Sequence, residues 1–416
     1  MSTPQPICII VGASHAGAQL STSLRKEGWT GRILVLGDEA PLPYHRPPLS
    51  KALLTKEKTP EQIEIFKASV YEKAEVEFRL GVSVEKIDRA AKTVLLNNGE
   101  VLPYDKLALC TGARVRKLEI PGANLKGVHY LRTLADAEKI QSEVKPGGNA
   151  VIVGGGYIGL ETAASLRKLG MEVTVVEMMH RVLERVTAPE LSVYYTDLHH
   201  RHGIKILTGA QTLELRGTDR VQQVVCSENR ILDADLVIVG IGVIPNTELA
   251  ADAGLEVSNG VVVDEFAQTT DPDIVAAGDC TNHPNDLLGY RLRLESVPNA
   301  MEQGKAAAAS ICGLKKAYHA LPWFWSDQYN AKLQIAGMNR GYERVVIRGT
   351  PSTDSFVAWY LKGNHVLAAD CINSPKDFMT AKKIIAQNLT VQDSDLADTS
   401  LDLSTLIPKD SPATPA

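Results

Sequence analysis

This chain of 416 residues has no cysteine pair at CxxC spacing, no run of basic residues and no apolar stretch long enough to cross a bilayer. Its six cysteines, Cys8, Cys110, Cys226, Cys280, Cys312 and Cys371, stand far apart. That excludes a zinc-type ligand set and suggests buried free thiols in a reducing cytoplasm. With 44 Lys and Arg against 49 Asp and Glu, the net charge of −5 lacks the basic excess of a nucleic-acid binder. Nor does a charged, apolar, small-residue export signal open the chain. Its length suggests two to three domains, each able to bury its own core.

The most informative stretch is Ala150 to Glu177, AVIVGGGYIGLETAASLRKLGMEVTVVE. An apolar strand runs into Gly154, Gly156 and Gly159, a helical pattern follows, and a second strand, Glu172 to Val176, ends on Glu177. This is a complete dinucleotide-binding unit. Gly154 serves the tight turn, Gly156 admits a pyrophosphate, and Gly159 lets helix and strand pack. Tyr157 and Ile158 open the helix whose positive end faces that diphosphate. Glu177 stands where a carboxylate accepts hydrogen bonds from an adenosine ribose and repels a 2′-phosphate, which favours NADH over NADPH.

The chain begins with the same theme. Ile7 to Val11 reads as a buried strand, then Gly12-Ala-Ser-His-Ala-Gly17 and a helix, then a strand from Arg32 to Leu36 and Gly37-Asp38-Glu39. Ser14 replaces the middle glycine. Two such units in one chain imply two dinucleotides, for which FAD plus a nicotinamide is the usual pairing. Between them Pro43 to Lys51 is rigid from its prolines and releases into a short helix capped by Ser50. Asn97-Asn98-Gly99 reads as a hairpin turn. From Pro322 the texture changes to four strand-like runs near Leu333, Val345, Val357 and Val366 and a helix from Pro375 to Asn388. The Asp-, Ser-, Thr- and Pro-rich tail from Asp393 reads as loosely wrapped or partly disordered. The helix end His199-His200-Arg201-His202 reads as solvated rather than metal-binding.

These units, with LALCTGA (107–113) and TTDPDIVAAGDC (269–280), resemble the FAD-dependent pyridine-nucleotide oxidoreductases. PYHRPPLSK, RVLERVTAPELS, GIGVIPNTELA, ESVPNA and PWFWSDQY look narrower still, like the ferredoxin reductases of bacterial oxygenase systems, over nearly the whole chain. The resemblance implies an α/β fold: two Rossmann-like domains, for FAD (1–115 and 244–321) and NAD (116–243), and a C-terminal α+β domain (322–416) with an antiparallel sheet. It implies FAD contacts at Ala16, Asp38, Lys51, Val84, Arg132, Asp279 and Val297. The matching motifs add Gly12, Ser14, His15, Gly17, Arg46, Thr111, Gly112, Gly278, Glu295 and Ser296 for the flavin, and Gly242 for the nicotinamide cofactor. His45 is a further candidate beside the flavin.

The implied reaction is hydride transfer from NADH to FAD and single-electron delivery to a [2Fe-2S] ferredoxin feeding a cytochrome P450. Lys51 and Glu161 match a charged pair near the reacting flavin atom, or else serve as a structural ion pair. Trp325 closes the cavity beside the flavin, or only seams two domains. The disulfide reductases and NADH peroxidases of the wider superfamily use cysteines near the PPLSK stretch, and none lies between Cys8 and Cys110. Ferredoxins of this kind are acidic, which makes Lys315, Lys316, Lys332 and Arg340 candidates for docking. A Rieske dioxygenase, a rubredoxin or oxygen are alternative acceptors. A redox-switched flavoprotein without catalytic role is the non-enzymatic alternative. A monomer is favoured.

Overall fold

The computed structural model describes residues 5–408. The first sheet has five parallel strands, in the spatial order Ile274–Ala276, Lys106–Leu109, Ile7–Val11, Arg32–Gly37 and Val76–Leu80. The second repeats the plan with Lys205–Leu207, Glu172–Val176, Asn149–Val153, Leu236–Val239 and Val128–Tyr130. In both, the central strand is covered on two faces, which is why it reads as an unbroken apolar run instead of an alternation. Ile9 and Val11 pack with Val84, Ile87 and Val94 of an antiparallel meander, Val84–Asp88, Thr93–Leu96 and Val101–Pro103. Ile10 on the other face meets Leu20, Leu24 and Ala307 from the helices His15–Lys26 and Val297–Ile311. Thr212–Gly217, Val221–Cys226 and Ile231–Asp233 form the matching meander on the second sheet.

The chain leaves the first lobe along Ala113–Val115 and returns along Val243–Pro245, and these two segments pair antiparallel as a ribbon. The expected divisions 115/116 and 243/244 fall at this ribbon, and the third, 321/322, falls before the strand Trp323–Gln328. The third lobe is an antiparallel sheet in the order Trp323–Gln328, Ala331–Gly337, His365–Ile372, Ser355–Lys362 and Arg344–Thr350, with the helix Pro375–Ala386 against it.

Three expectations are corrected. This sheet has a fifth strand, Trp323–Gln328, where the sequence shows an aromatic cluster with no clear alternation. Ser50 does not cap a helix: its hydroxyl donates to Glu161 Oε2 at 2.6 Å, because the turn Pro47–Ser50 lies against the neighbouring lobe. The tail is packed as far as Ile407, with a helix Asp393–Ala397 and a 3-10 turn Leu403–Leu406. Its sparse leucines, Leu396 and Leu403, are buried against the third sheet, and Arg344 holds Asp393 through two bonds of 2.7 and 2.8 Å. Composition hides this, since two buried leucines, one in each short element, suffice to anchor an otherwise polar segment. Residues 409–416 of the expected loose tail lie outside the described residues.

The second and third lobes are pinned by a buried carboxylate. Asp370 accepts from Tyr360 Oη at 2.5 Å and from Thr187 Oγ1 at 2.7 Å, Thr187 coming from the second lobe. Burial pushes the Asp370 carboxyl up to about 6, and the two hydroxyl donors hold it back from rising further. The folded protein therefore keeps a proton that the unfolded chain releases near pH 4, so this contribution is present below pH 4 and lost as pH rises through 6. We expect Asp370→Asn to flatten the fall in stability between pH 4 and 6 by about 2–3 kcal/mol, read by chemical denaturation at several pH values.

Candidate functional site

The two glycine turns are superimposable in their contacts. Gly12 (φ 116°) and Gly154 (φ 111°) sit in the left-handed region, and a β-carbon there would lie 2.1 Å from Cys110 O and 2.4 Å from Gly240 O respectively. At Gly17 and Gly159 it would strike the carbonyls of Gly12 and Gly154 at 2.0 and 2.2 Å. The strand, turn and helix thus pack so closely that only glycine fits. Each turn feeds a helix whose N-cap, Ser14 or Gly156, gives no side-chain hydrogen bond to the first-turn amides. In front of Gly156 nothing lies within 4 Å. Open space facing uncapped amides at a helix N-terminus suits a diphosphate, so the second turn fits a dinucleotide, and the first offers the same uncapped amides with Arg46 beside them.

Between the turns lies one cavity with an empty volume of about 900 Å³, open to solvent. It brings together His15, Arg46, Lys51, Arg132, Tyr157 and Ile158. Glu161, Asp279, Glu295, Ser296, Val297 and Trp325 complete the expected residues in its wall. The other expected residues stand outside it. Ala16 is buried beneath, where Gly278 and Gly304 let the two helices of the first lobe approach its backbone and side chain. Thr111 spends its hydroxyl on Asn246 O at 2.6 Å, and Gly112 lies behind Arg132. Val84 is in the meander, Gly242 in open backbone beside the ribbon, and Asp38 is exposed at the end of its strand. Its neighbour Glu39 is occupied by Arg46 at 2.6 Å and by Tyr44. Glu177 reaches its own turn: Gly155 N donates to Oε2 at 2.6 Å and Met179 N to Oε1 at 2.7 Å, leaving one lone pair on each oxygen.

The cationic wall is ordered. Arg46 donates to Ser14 Oγ at 3.2 Å and Arg132 O at 2.6 Å, and Arg132 pairs with Asp279 at 3.2 Å. His15 Nε2 lies 3.2 Å from His45 Nδ1, and burial, with His45 and the two arginines adding to it, holds the His15 ring down at about 3. His15 is therefore neutral at physiological pH, an uncharged polar edge beside two fixed cations.

Opposite them stands the Lys51–Glu161 pair at 2.7 Å, the lysine side chain 18% and the glutamate 5% exposed. Ser50 and Ser326 each donate to Glu161 at 2.6 Å, to Oε2 and Oε1. Phe324, whose ring centroid is 5.1 Å from that of Tyr157, adds an apolar wall beside Trp325. Phe324 and Ser326 are not among the residues expected from the motifs. The signal was the alternation Phe324, Ser326, Gln328 within the unrecognised strand. The histidine run is not a solvated helix end: His199 is fully buried and Nε2 lies 2.8 Å from Gln328 Oε1, while His202 stacks on Tyr329 at 3.6 Å. Among the basic docking candidates Lys316 is paired with Glu27, Lys315 lies over Phe266 and Arg340 over Tyr290, while Lys332 is exposed.

Comparison with known proteins gives a consistent result. Residues 7–304 match the pyridine nucleotide-disulphide oxidoreductase family model, and residues 323–407 match a reductase C-terminal model. The chain is 42% identical to putidaredoxin reductase of Pseudomonas putida over 405 residues, 96% of each chain. Among solved structures it resembles the reductase of the covalent putidaredoxin reductase–putidaredoxin complex, with a TM-score of 0.94, 41% identity and coverage of 97% and 98%. It also resembles the ferredoxin reductase for the CYP199A2 system from Rhodopseudomonas palustris, with a TM-score of 0.93, 40% identity and coverage of 97% and 100%.

Removing one member of a buried ion pair leaves a charge without a partner, whereas removing both does not. Lys51→Met is expected to lower unfolding stability by about 3 kcal/mol, and Lys51→Met combined with Glu161→Leu to recover most of it, measured by urea denaturation.

Proposed function

The chain belongs to the pyridine nucleotide-disulphide oxidoreductase family, and from that footing we propose that it is an FAD-dependent NADH:ferredoxin reductase delivering electrons to a small [2Fe-2S] ferredoxin. The observation that supports this best is the buried Lys51–Glu161 pair in a cavity flanked by two dinucleotide turns and walled without any cysteine. FAD, when bound, takes up two electrons with a hydride and gives them up singly. The chain's own residues bind, orient and exclude water. Gly12, Ser14 and Gly17 receive the flavin diphosphate, with Arg46 and Arg132 as cationic clamps. Gly154, Gly156 and Gly159 receive that of the nicotinamide cofactor. Lys51 sets a positive charge at the cavity wall to meet the charge that arrives with the hydride, and Glu161 keeps that lysine in place. Phe324, Trp325 and Tyr157 shield the reacting face from water.

Cys110 and Cys280 are buried and removed from the wall, so no thiol relay intervenes and electrons pass straight from the cavity to an external acceptor. For that acceptor the names of the similar proteins supply the class: a ferredoxin, and behind it a cytochrome P450. No helix among the described residues is long and apolar enough to cross a membrane. We place the protein in the cytoplasm as a monomer, with 1–115 plus 244–321 forming the FAD domain, 116–243 the NAD domain and 322–416 the C-terminal domain.

Two measurements test this. Anaerobic stopped-flow mixing with NADH is expected to bleach the flavin absorbance, and a [2Fe-2S] ferredoxin to restore it quickly; bleaching that persists until air enters overturns the ferredoxin reading. Glu177→Ala is expected to cut the preference for NADH over NADPH about tenfold, the worth of one charge-assisted contact, in the ratio of kcat/KM values.

A further inference from the structure

The strand Trp323–Gln328 lies along the second lobe with alternate residues turned to it. Phe324 meets Tyr157, Ser326 meets Glu161 and Gln328 meets His199. Tyr157 and Glu161 are four apart on the helix Tyr157–Lys168, and so share one of its faces. The side chains of Glu161, Ser326, Gln328 and His199 are all buried, and they form one continuous line of contacts. Its lengths are 2.6 Å from Ser326 Oγ to Glu161 Oε1, 3.3 Å from Gln328 Nε2 to Ser326 Oγ, and 2.8 Å from His199 Nε2 to Gln328 Oε1.

The donors in this line have only one consistent arrangement. Glu161, as the carboxylate paired with Lys51, accepts and cannot donate, so Ser326 spends its single proton on it. Ser326 then accepts from the Gln328 amide, which must present its nitrogen there and its oxygen to His199. His199 therefore carries its proton on Nε2, and Nδ1 is bare. That fits the surroundings of Nδ1, which is buried and meets no hydrogen-bond partner. Burial, together with His202 and His200, brings the ring down to about 4, so it is neutral and only one nitrogen is protonated.

We propose that Ser326, Gln328 and His199 are positioning residues: a one-way hydrogen-bond chain, polarised by the Glu161 carboxylate, that fixes the orientation of the Lys51–Glu161 pair from the far side of the lobe interface. The inference rests on the functional reading above for its importance to the cavity, but its test does not. Because every donor points towards Glu161, this carboxylate receives Ser326 on one oxygen and Ser50 and Lys51 on the other, and cannot turn without breaking the chain.

The chain should reverse when the carboxylate becomes an amide. In Glu161→Gln, Lys51 offers only donors, so the amide oxygen is held on the lysine side and the NH2 faces Ser326. Ser326 then turns its hydroxyl to Gln328, Gln328 flips, and His199 must accept at Nε2 and carry its proton on Nδ1. The experiment is nitrogen NMR of the flavin-loaded protein labelled on histidine, with His199 assigned by its loss in His199→Phe. The expected results are a bare Nδ1 in the native protein and a switch to a bare Nε2 in Glu161→Gln. In the Glu161→Gln, Ser326→Ala double variant the switch should be lost. A bare Nε2 in the native protein, or a Glu161→Gln spectrum still showing a bare Nδ1, overturns the proposal. Should Glu161→Gln not fold, Ser326→Ala is read on the same signal: two tautomers support the chain, and one unchanged tautomer overturns it. Failure of the protein to reduce a ferredoxin would leave these spectra untouched, so the two readings fail separately.

Discussion

Everything in the molecule converges on one buried carboxylate. Glu161 belongs to a helix of the second lobe, Ser50 and Lys51 come from the first, and Ser326 comes from the third. A carboxylate with almost no exposure is costly unless paired and hydrogen-bonded. Its three partners come from the two other lobes, so the charge is satisfied only when all three lobes are seated. This is a weak way to gain stability and a strong way to specify one arrangement. Lobes that come apart lose hydrogen bonds to a charge rather than merely thin out apolar contacts.

The same constraint explains why the cavity needs three lobes. The two parallel sheets supply glycine turns of the same geometry, but neither supplies the phenylalanine and tryptophan side of the cavity wall. That wall comes from Phe324 and Trp325, on a strand whose other contacts, Ser326 and Gln328, fix its register against the second lobe. A slip of one residue would turn this strand's inward set outward. Polar pins at alternate positions resist such a slip better than a purely apolar face, which tolerates displacement.

The parts legible in the sequence were those dictated by local backbone geometry. Gly12 and Gly154 must adopt positive φ, and Gly17 and Gly159 must admit a carbonyl at van der Waals distance, so the residues themselves announce the two turns. Central strands flanked by helices and meanders were legible as apolar runs. Less legible was whatever long-range packing decides. His199 looked like part of a solvated helix end because its neighbours His200 and Arg201 are polar, yet its helix position faces the third lobe. Ser50 looked like a cap because serine favours that role locally, and an acid 111 residues away claimed it instead. Leu396 and Leu403 anchor a tail whose composition is polar, because two well-placed leucines outweigh average composition.

The cysteines, first remarkable only for their spacing, have a consequence for durability. Burial raises all six thiols, so none is held as the reactive thiolate at neutral pH. Were a flavin bound in the cavity to lose electrons to oxygen, the peroxide would meet only protonated, enclosed sulfur, a poor target for it. With five buried thiols and one half-buried one, the chain keeps its sulfur protonated and enclosed, the form least open to oxidation.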